Sequence, residues 1–116
     1  MDYHKAMLTI VELPEFLRRA EALITEQEKQ SIINYLALHP NAGVIMKGTG
    51  GIRKLSWATG SKGKSGGVRV VYYFHNESMP LFLLSLFGKS EKANLSKSER
   101  NELARFTTLL VKNYGA

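Results

Sequence analysis

Three short runs rich in β-branched and aromatic residues, at 52–58, 68–74 and 81–87, most constrain what this chain can become. They are separated by GSKGKSGG and by HNESMP, both composed of turn-forming residues. Strands that close in sequence and joined by such turns pair as an antiparallel meander. The first turn is glycine-rich and basic, so its backbone can approach a ligand closely while Lys62 and Lys64 supply charge.

Upstream the period changes. Residues 7–11 are apolar and β-branched enough for a first strand, and Pro14 fits the first turn of a following helix, where its missing N–H costs nothing. Phe16, Leu17, Ala20, Leu23 and Ile24 recur at helical spacing and form one apolar stripe. Thr25 and Glu28 predict a capping box, Ile32, Ile33, Leu36 and Ala37 a second buried face, and Pro40 with Gly43 a stop. Ser96 and Glu99 predict another capping box, opening a final helix whose stripe is Leu103, Phe106, Leu109 and Leu110 and which ends before Gly115. The expected fold is α+β: a small, antiparallel-rich sheet with two N-terminal helices and one C-terminal helix, in the order β-α-α-β-β-β-α. At 116 residues, 44% of them hydrophobic, the chain is expected to form one domain over 1–116.

Cysteine is absent, which excludes disulfides and thiolate metal sites and suits a reducing interior. The start of the chain lacks a basic region followed by an apolar run, and its longest apolar run falls far short of the roughly 20 residues of a membrane helix. A cytoplasmic protein with no membrane contact is expected. The net charge of +6 points to an anionic partner, and its distribution sharpens this. Between Lys47 and Arg69 stand six cations (Lys47, Arg53, Lys54, Lys62, Lys64 and Arg69) and no carboxylate.

Alternation along a strand puts Val68, Val70, Tyr72 and Phe74 on one face and Arg69, Val71, Tyr73 and His75 on the other. Leu55 and Trp57 look core-facing together with Arg53, leaving Lys54 and Ser56 on the opposite side. If Lys54 and Arg69 share an open face, two cations and a phenol stand there beside a basic loop.

Metal-free RNA cleavage needs a group to accept the 2′-hydroxyl proton, one to stabilise the charged phosphorane and one to protonate the departing 5′-oxygen. Arginine has a constant charge and a fork that suits phosphate, which assigns Arg69 to electrostatic stabilisation. Neighbouring cations favour the neutral form of a lysine, so Lys54 is the first choice of base and Lys64 the second. Tyr73 is a candidate stacking platform or proton donor, although the sequence leaves Tyr72 and Tyr73 undistinguished. Arg53, Lys62 and Lys47 are read as RNA contacts. His4, His39 and His75 are scattered without metal-ligand spacing, and the carboxylates fall outside the basic stretch. Neither a metal nor a cofactor is expected.

The stretch GTGGIRKLSWATGSKGKSGGVRVVYYF, residues 48–74, followed by LLSLFGKSEKANLS, residues 83–96, resembles the RelE/HigB toxins of bacterial type II toxin–antitoxin systems. The likeness spans roughly the last two thirds of the chain and rests on G-G-[hydrophobic]-R-K and R-[apolar]-[apolar]-Y-Y-F together. It implies a small sheet flanked by helices and an endoribonuclease that cuts mRNA in the ribosomal A site. It also implies a cognate antitoxin, often a helix-turn-helix protein as in HigA-like systems, through which alone the complex would touch operator DNA. Carried over by residue, the strand cations are Arg53, Lys54 and Arg69, and the lysine following a glycine after the last strand is Lys89. Some relatives have arginine where this chain has Ser90, and their functional tyrosine near the C-terminus has no clear equivalent here. Two other readings fit the same surface: a ParE-like inhibitor of DNA gyrase, and an RNA-binding module without enzymatic activity.

Overall fold

The computed structural model describes residues 8–59, 67–89, 91 and 95–115. Its elements are β1 (Ile10–Glu12), α1 (Pro14–Leu23), α2 (Glu26–Leu38), β2 (Val44–Ile45), β3 (Arg53–Trp57), β4 (Val68–Tyr73), β5 (Leu81–Gly88) and α3 (Lys97–Tyr114). The α+β class and the partition of the helices agree with expectation. The order differs by one strand: β-α-α-β-β-β-β-α, because β2 pairs antiparallel with β3 through Val44 opposite Lys54 and Ile45 opposite Arg53. Two residues are too few for a period-two pattern to register, so β2 exists through pairing rather than local preference.

Local signals set the helix ends. Pro14 opens α1. In both α2 and α3 the N-cap hydroxyl, Thr25 or Ser96, accepts from the amide three residues on, and that residue's glutamate accepts the cap's own amide. Among the described residues no helix is long and apolar enough to cross a membrane.

The five strands form one sheet in the order β1-β5-β4-β3-β2. β1 runs parallel to β5 and the other neighbours are antiparallel, which makes the sheet mixed. Alternation then sorts the side chains into two cores. Val68, Val70, Tyr72, Leu81, Leu83 and Leu86 meet Phe16, Ala20, Leu23, Ile32 and Leu36 of α1 and α2. Val71, Tyr73, Phe82 and Leu84 meet Leu110 and its neighbours on α3.

A bulge in β5 serves both cores. Tyr72 pairs with Leu83 and Val71 with Ser85, leaving Leu84 as the extra residue. The phase of β5 slips there, so Leu83 and Leu86, three apart, both face α1 and α2. Beyond its pairing with β1, the outer side of β5 is met by α1: Arg19 Nε donates to the Leu86 carbonyl at 2.8 Å, and its other arm pairs with Glu91. Glu91 in turn accepts the Gly88 amide at 2.8 Å, which pins the turn after β5.

Candidate nucleic-acid interface

The α3 side of the sheet is covered along part of its length only. α3 seats on Ile52, Val71, Tyr73, Phe82 and Leu84. Toward the other end the face continues as two rows. Ser56, Arg69 and Phe87 lie opposite one another in the first; Val44, Lys54, Val71 and Ser85 form the second. Arg69 precedes Val71 by two residues and Lys54 faces Val71 across the ladder, so both cations point to this side. They are diagonal neighbours, a spacing of about 7–8 Å in an antiparallel pair. Lys54, Arg69, Ser85 and Phe87 are half-buried and Ser56 is exposed. The sequence reading paired Lys54 with Arg69, and the register brings them together.

Lys54 also borders a cleft of about 180 Å³ between β2 and the first turn of α3, where Lys47 and Arg100 join it and Val44, Ile45, Met46 and Leu95 complete the wall. Among the described residues, no acidic one lines this cleft. Among the described residues, Lys47, Lys54, Arg69, Lys89 and Arg100 form no ion pair, whereas the cations on the helical side of the molecule do: Arg18 with Glu15, Arg19 with Glu91, and Lys29 with Glu12. Positive charge is therefore left uncompensated on one surface, where it can attract phosphate.

Arg100 was not read from the sequence as a site residue. Ser96 marks where α3 starts, but which way Arg100 points depends on how α3 docks. The GTGG turn decides this. Gly50 holds φ +78°, and a Cβ there would lie 2.3 Å from Thr107 Oγ1, so only glycine lets the turn press against α3. Thr49 is fully buried; its hydroxyl donates to the Met46 carbonyl at 2.7 Å and accepts from the Ile52 amide at 3.0 Å. The glycines of this motif thus serve packing of α3, and the docked helix delivers Arg100 beside Lys54.

Arg53 is placed otherwise than expected. Alternation puts it opposite Tyr72 on the α2 side, where its guanidinium donates to the carbonyls of Asn41 at 3.1 Å and Gly43 at 2.7 Å. Arg53, expected as an RNA contact, has its Nη1 engaged in holding the α2–β2 turn. The two tyrosines are now distinguished. Tyr72 is fully buried; its hydroxyl donates to the Pro40 carbonyl and accepts the Gly43 amide, both at 2.8 Å. Burial raises its pKa above 10.0, against the opposing effects of the Gly43 hydrogen bond and the Arg53 charge.

Tyr73 faces the α3 side but lies under the helix, 4% exposed, four residues along the strand from Arg69. Its hydroxyl stands 3.4 Å from His75 Nδ1, and burial raises its pKa as well. So little exposed surface leaves no ring face on which a base can stack.

Lys89 is exposed in the turn after β5, and its amide donates to the Gly67 carbonyl at 3.1 Å, which sets it at the base of the basic loop. Lys62 and Lys64 lie outside the described residues. No three His, Asp or Glu side chains gather as metal ligands among the described residues. Set against known protein families, the chain matches no family model.

Proposed function

We propose that this protein is a ribosome-dependent endoribonuclease of the RelE/HigB type, the toxin of a toxin–antitoxin pair, which cleaves mRNA in the ribosomal A site. One observation carries the reading: Lys54 and Arg69 are diagonal neighbours on the open end of the sheet, with Arg100 and Lys47 beside Lys54 and, among the described residues, no carboxylate lining their cleft.

In this reading a phosphodiester of single-stranded RNA lies across the open rows. Arg69 holds its non-bridging oxygens and stabilises the charge that grows on them as the phosphorane forms. Lys54 takes the proton of the 2′-hydroxyl as that oxygen attacks phosphorus. The bond to the 5′-oxygen breaks, and that oxygen takes a proton from the Lys54 ammonium or from water. The products are a 2′,3′-cyclic phosphate and a free 5′-hydroxyl, so protons and bonds balance. Lys47, Arg100 and Lys89 bind flanking phosphates, and Phe87, half-buried beside Arg69, offers an apolar surface to a base. Tyr73 has no part in the step.

The partners that accompany this reading are the ribosome with its mRNA, and an antitoxin of the helix-turn-helix kind that alone contacts operator DNA. The test is to map mRNA 5′ ends after brief induction, and in a purified translation system with and without ribosomes. Cuts within A-site codons that need ribosomes and carry 5′-hydroxyl ends are expected. Intact transcripts together with inhibited DNA supercoiling would overturn the proposal in favour of gyrase poisoning.

A further inference from the structure

β1 pairs with β5 only as far as Glu12 opposite Leu83, and Pro14 then turns the chain into α1. Beyond that point no strand among the described residues lies along the outer edge of β5, and a cleft of about 310 Å³ opens there. Its walls are Ser85 and Phe87 of β5, Glu15 and Arg19 of α1, and Glu91. Ser85 and Phe87 also belong to the two rows that carry Lys54 and Arg69. The cleft therefore continues the open face on the side away from β3.

Charge changes character across that boundary. Lys54 and Arg69 form no ion pair among the described residues, whereas the charges around the cleft are matched: Arg18 Nη2 holds Glu15 Oε1 at 2.6 Å, and Arg19 pairs with Glu91. A second phosphate gains nothing from a balanced rim that carries two carboxylates. A flat, uncharged polar ring does, because Phe87 offers it a face while α1 offers it an acceptor and a donor. Glu91 is spent, one oxygen on Arg19 and the other on the Gly88 amide. Arg19 has used Nε on the Leu86 carbonyl and Nη2 on Glu91. Glu15 Oε2 and Arg19 Nη1 remain, four residues apart in sequence and so neighbours on one face of the helix.

The position suits one nucleotide. Phe87 is the cross-strand partner of Arg69, and the cleft lies one strand spacing further out. Two such spacings are about 10 Å, the reach of a nucleotide from its phosphate to the far edge of its base. Resting on the reading that Arg69 holds a phosphate, we infer that this cleft takes the base of the adjoining nucleotide and that Glu15 selects bases carrying an exocyclic amine over uracil. A carboxylate only accepts hydrogen bonds. Cytosine, adenine and guanine can each donate an amine N–H to Glu15, with a ring nitrogen or carbonyl left for Arg19. Uracil offers a single ring N–H flanked by two carbonyl oxygens, which the carboxylate repels.

Cytosine and uracil have the same shape and differ at the amine, so they make the test. Fluorescein-labelled hexamers of 2′-deoxycytidine, 2′-deoxyuridine and abasic 2′-deoxyribose, none of which can be cleaved through a 2′-hydroxyl, are titrated with the full chain by anisotropy. The cytosine hexamer is expected to bind at least about fivefold more tightly than the uracil hexamer. Glu15→Gln, whose amide donates as well as accepts, should bring that ratio to within about twofold of unity, with the melting temperature confirming the fold. Phe87→Leu should weaken both base-bearing hexamers toward the abasic one. Arg69→Ala should weaken all three and leave the ratio intact. Equal affinity for cytosine and uracil, or a ratio that survives Glu15→Gln, overturns the base site while Arg69-dependent binding leaves the phosphate site standing. Absent binding, or binding indifferent to Arg69→Ala, overturns both. A ratio that behaves as expected beside intact mRNA in the translation assay upholds the base site and removes only the nuclease.

Discussion

Arg53 and Tyr72 are cross-strand partners that hold the same glycine: the guanidinium donates to the Gly43 carbonyl and the phenol accepts the Gly43 amide. The phenol also donates to Pro40, so the turn between α2 and β2 is fastened from the sheet beneath it. Because β2 begins one residue after Gly43 and lies beside Lys54, this fastening sets one wall of the cationic cleft. Tyr72→Phe keeps the ring and strands the Gly43 amide and the Pro40 carbonyl. A loss of about 1–3 kcal/mol in chemical denaturation is expected. Stability equal to wild type would show that the turn holds itself.

Gly50→Ala is expected to destabilise by about 2–4 kcal/mol, from a positive φ and from collision with Thr107. Adding Thr107→Ala relieves the collision and not the backbone strain, so the double variant should recover part of the loss. Full additivity of the two substitutions in urea melts would show that Gly50 and Thr107 do not meet.

Arg69→Ala is expected to slow ribosome-dependent cleavage by about 10²–10³-fold, the usual consequence of removing one group that stabilises a developing oxyanion. It should leave the unfolding midpoint in place, since Arg69 forms no ion pair among the described residues. Lys62→Ala should reduce cleavage less, and Tyr73→Phe should leave the rate near wild type. Equal rates for Arg69→Ala and Lys62→Ala would show that the wrong face has been chosen.

Arg100→Ala tests the residue that only the docked helix supplies. With a single-stranded RNA made non-cleavable by 2′-deoxy substitution, the slope of log affinity against log salt should fall in magnitude by about 0.7, the contribution of one phosphate contact. An unchanged slope would place Arg100 outside the RNA path.

Stability should fall above about pH 10. Burial raises the Tyr72 and Tyr73 pKa values above 10.0, and the adjoining Glu12 carboxylate raises that of Lys29 above 10.5. In each case the unfolded chain releases its proton first, so the contribution is complete below the unfolded pKa and is lost as pH climbs through the folded one. Lys29→Met removes one of the three and should make the alkaline fall shallower in guanidinium melts read at successive pH values. An identical alkaline slope would show that the Lys29–Glu12 pair contributes nothing to it.

Most of the secondary structure was legible because it rests on local chemistry. The capping boxes at Thr25 and Ser96, Pro14 at the start of α1, and the three β-rich runs each act within a few residues, and each appears where the sequence places it. β2 escaped because two residues carry no period, and the bulge at Leu84 because a slip in register is a property of two strands.

Alternation in β4 and β3 told, from sequence alone, that Lys54 and Arg69 would lie on sides opposite Tyr72 and Arg53 if the strands paired, and the charge pattern told that the stretch 47–69 itself carries no carboxylate. It could not tell which stretch of that face a helix would cover. Tyr73 and Arg69 share one side of one strand, yet α3 seals the first and leaves the second open, because the apolar stripe of α3 and the GTGG turn fix where the helix comes to rest. Side-chain direction is written by the period of the backbone, whereas exposure is decided by packing between segments far apart in the chain.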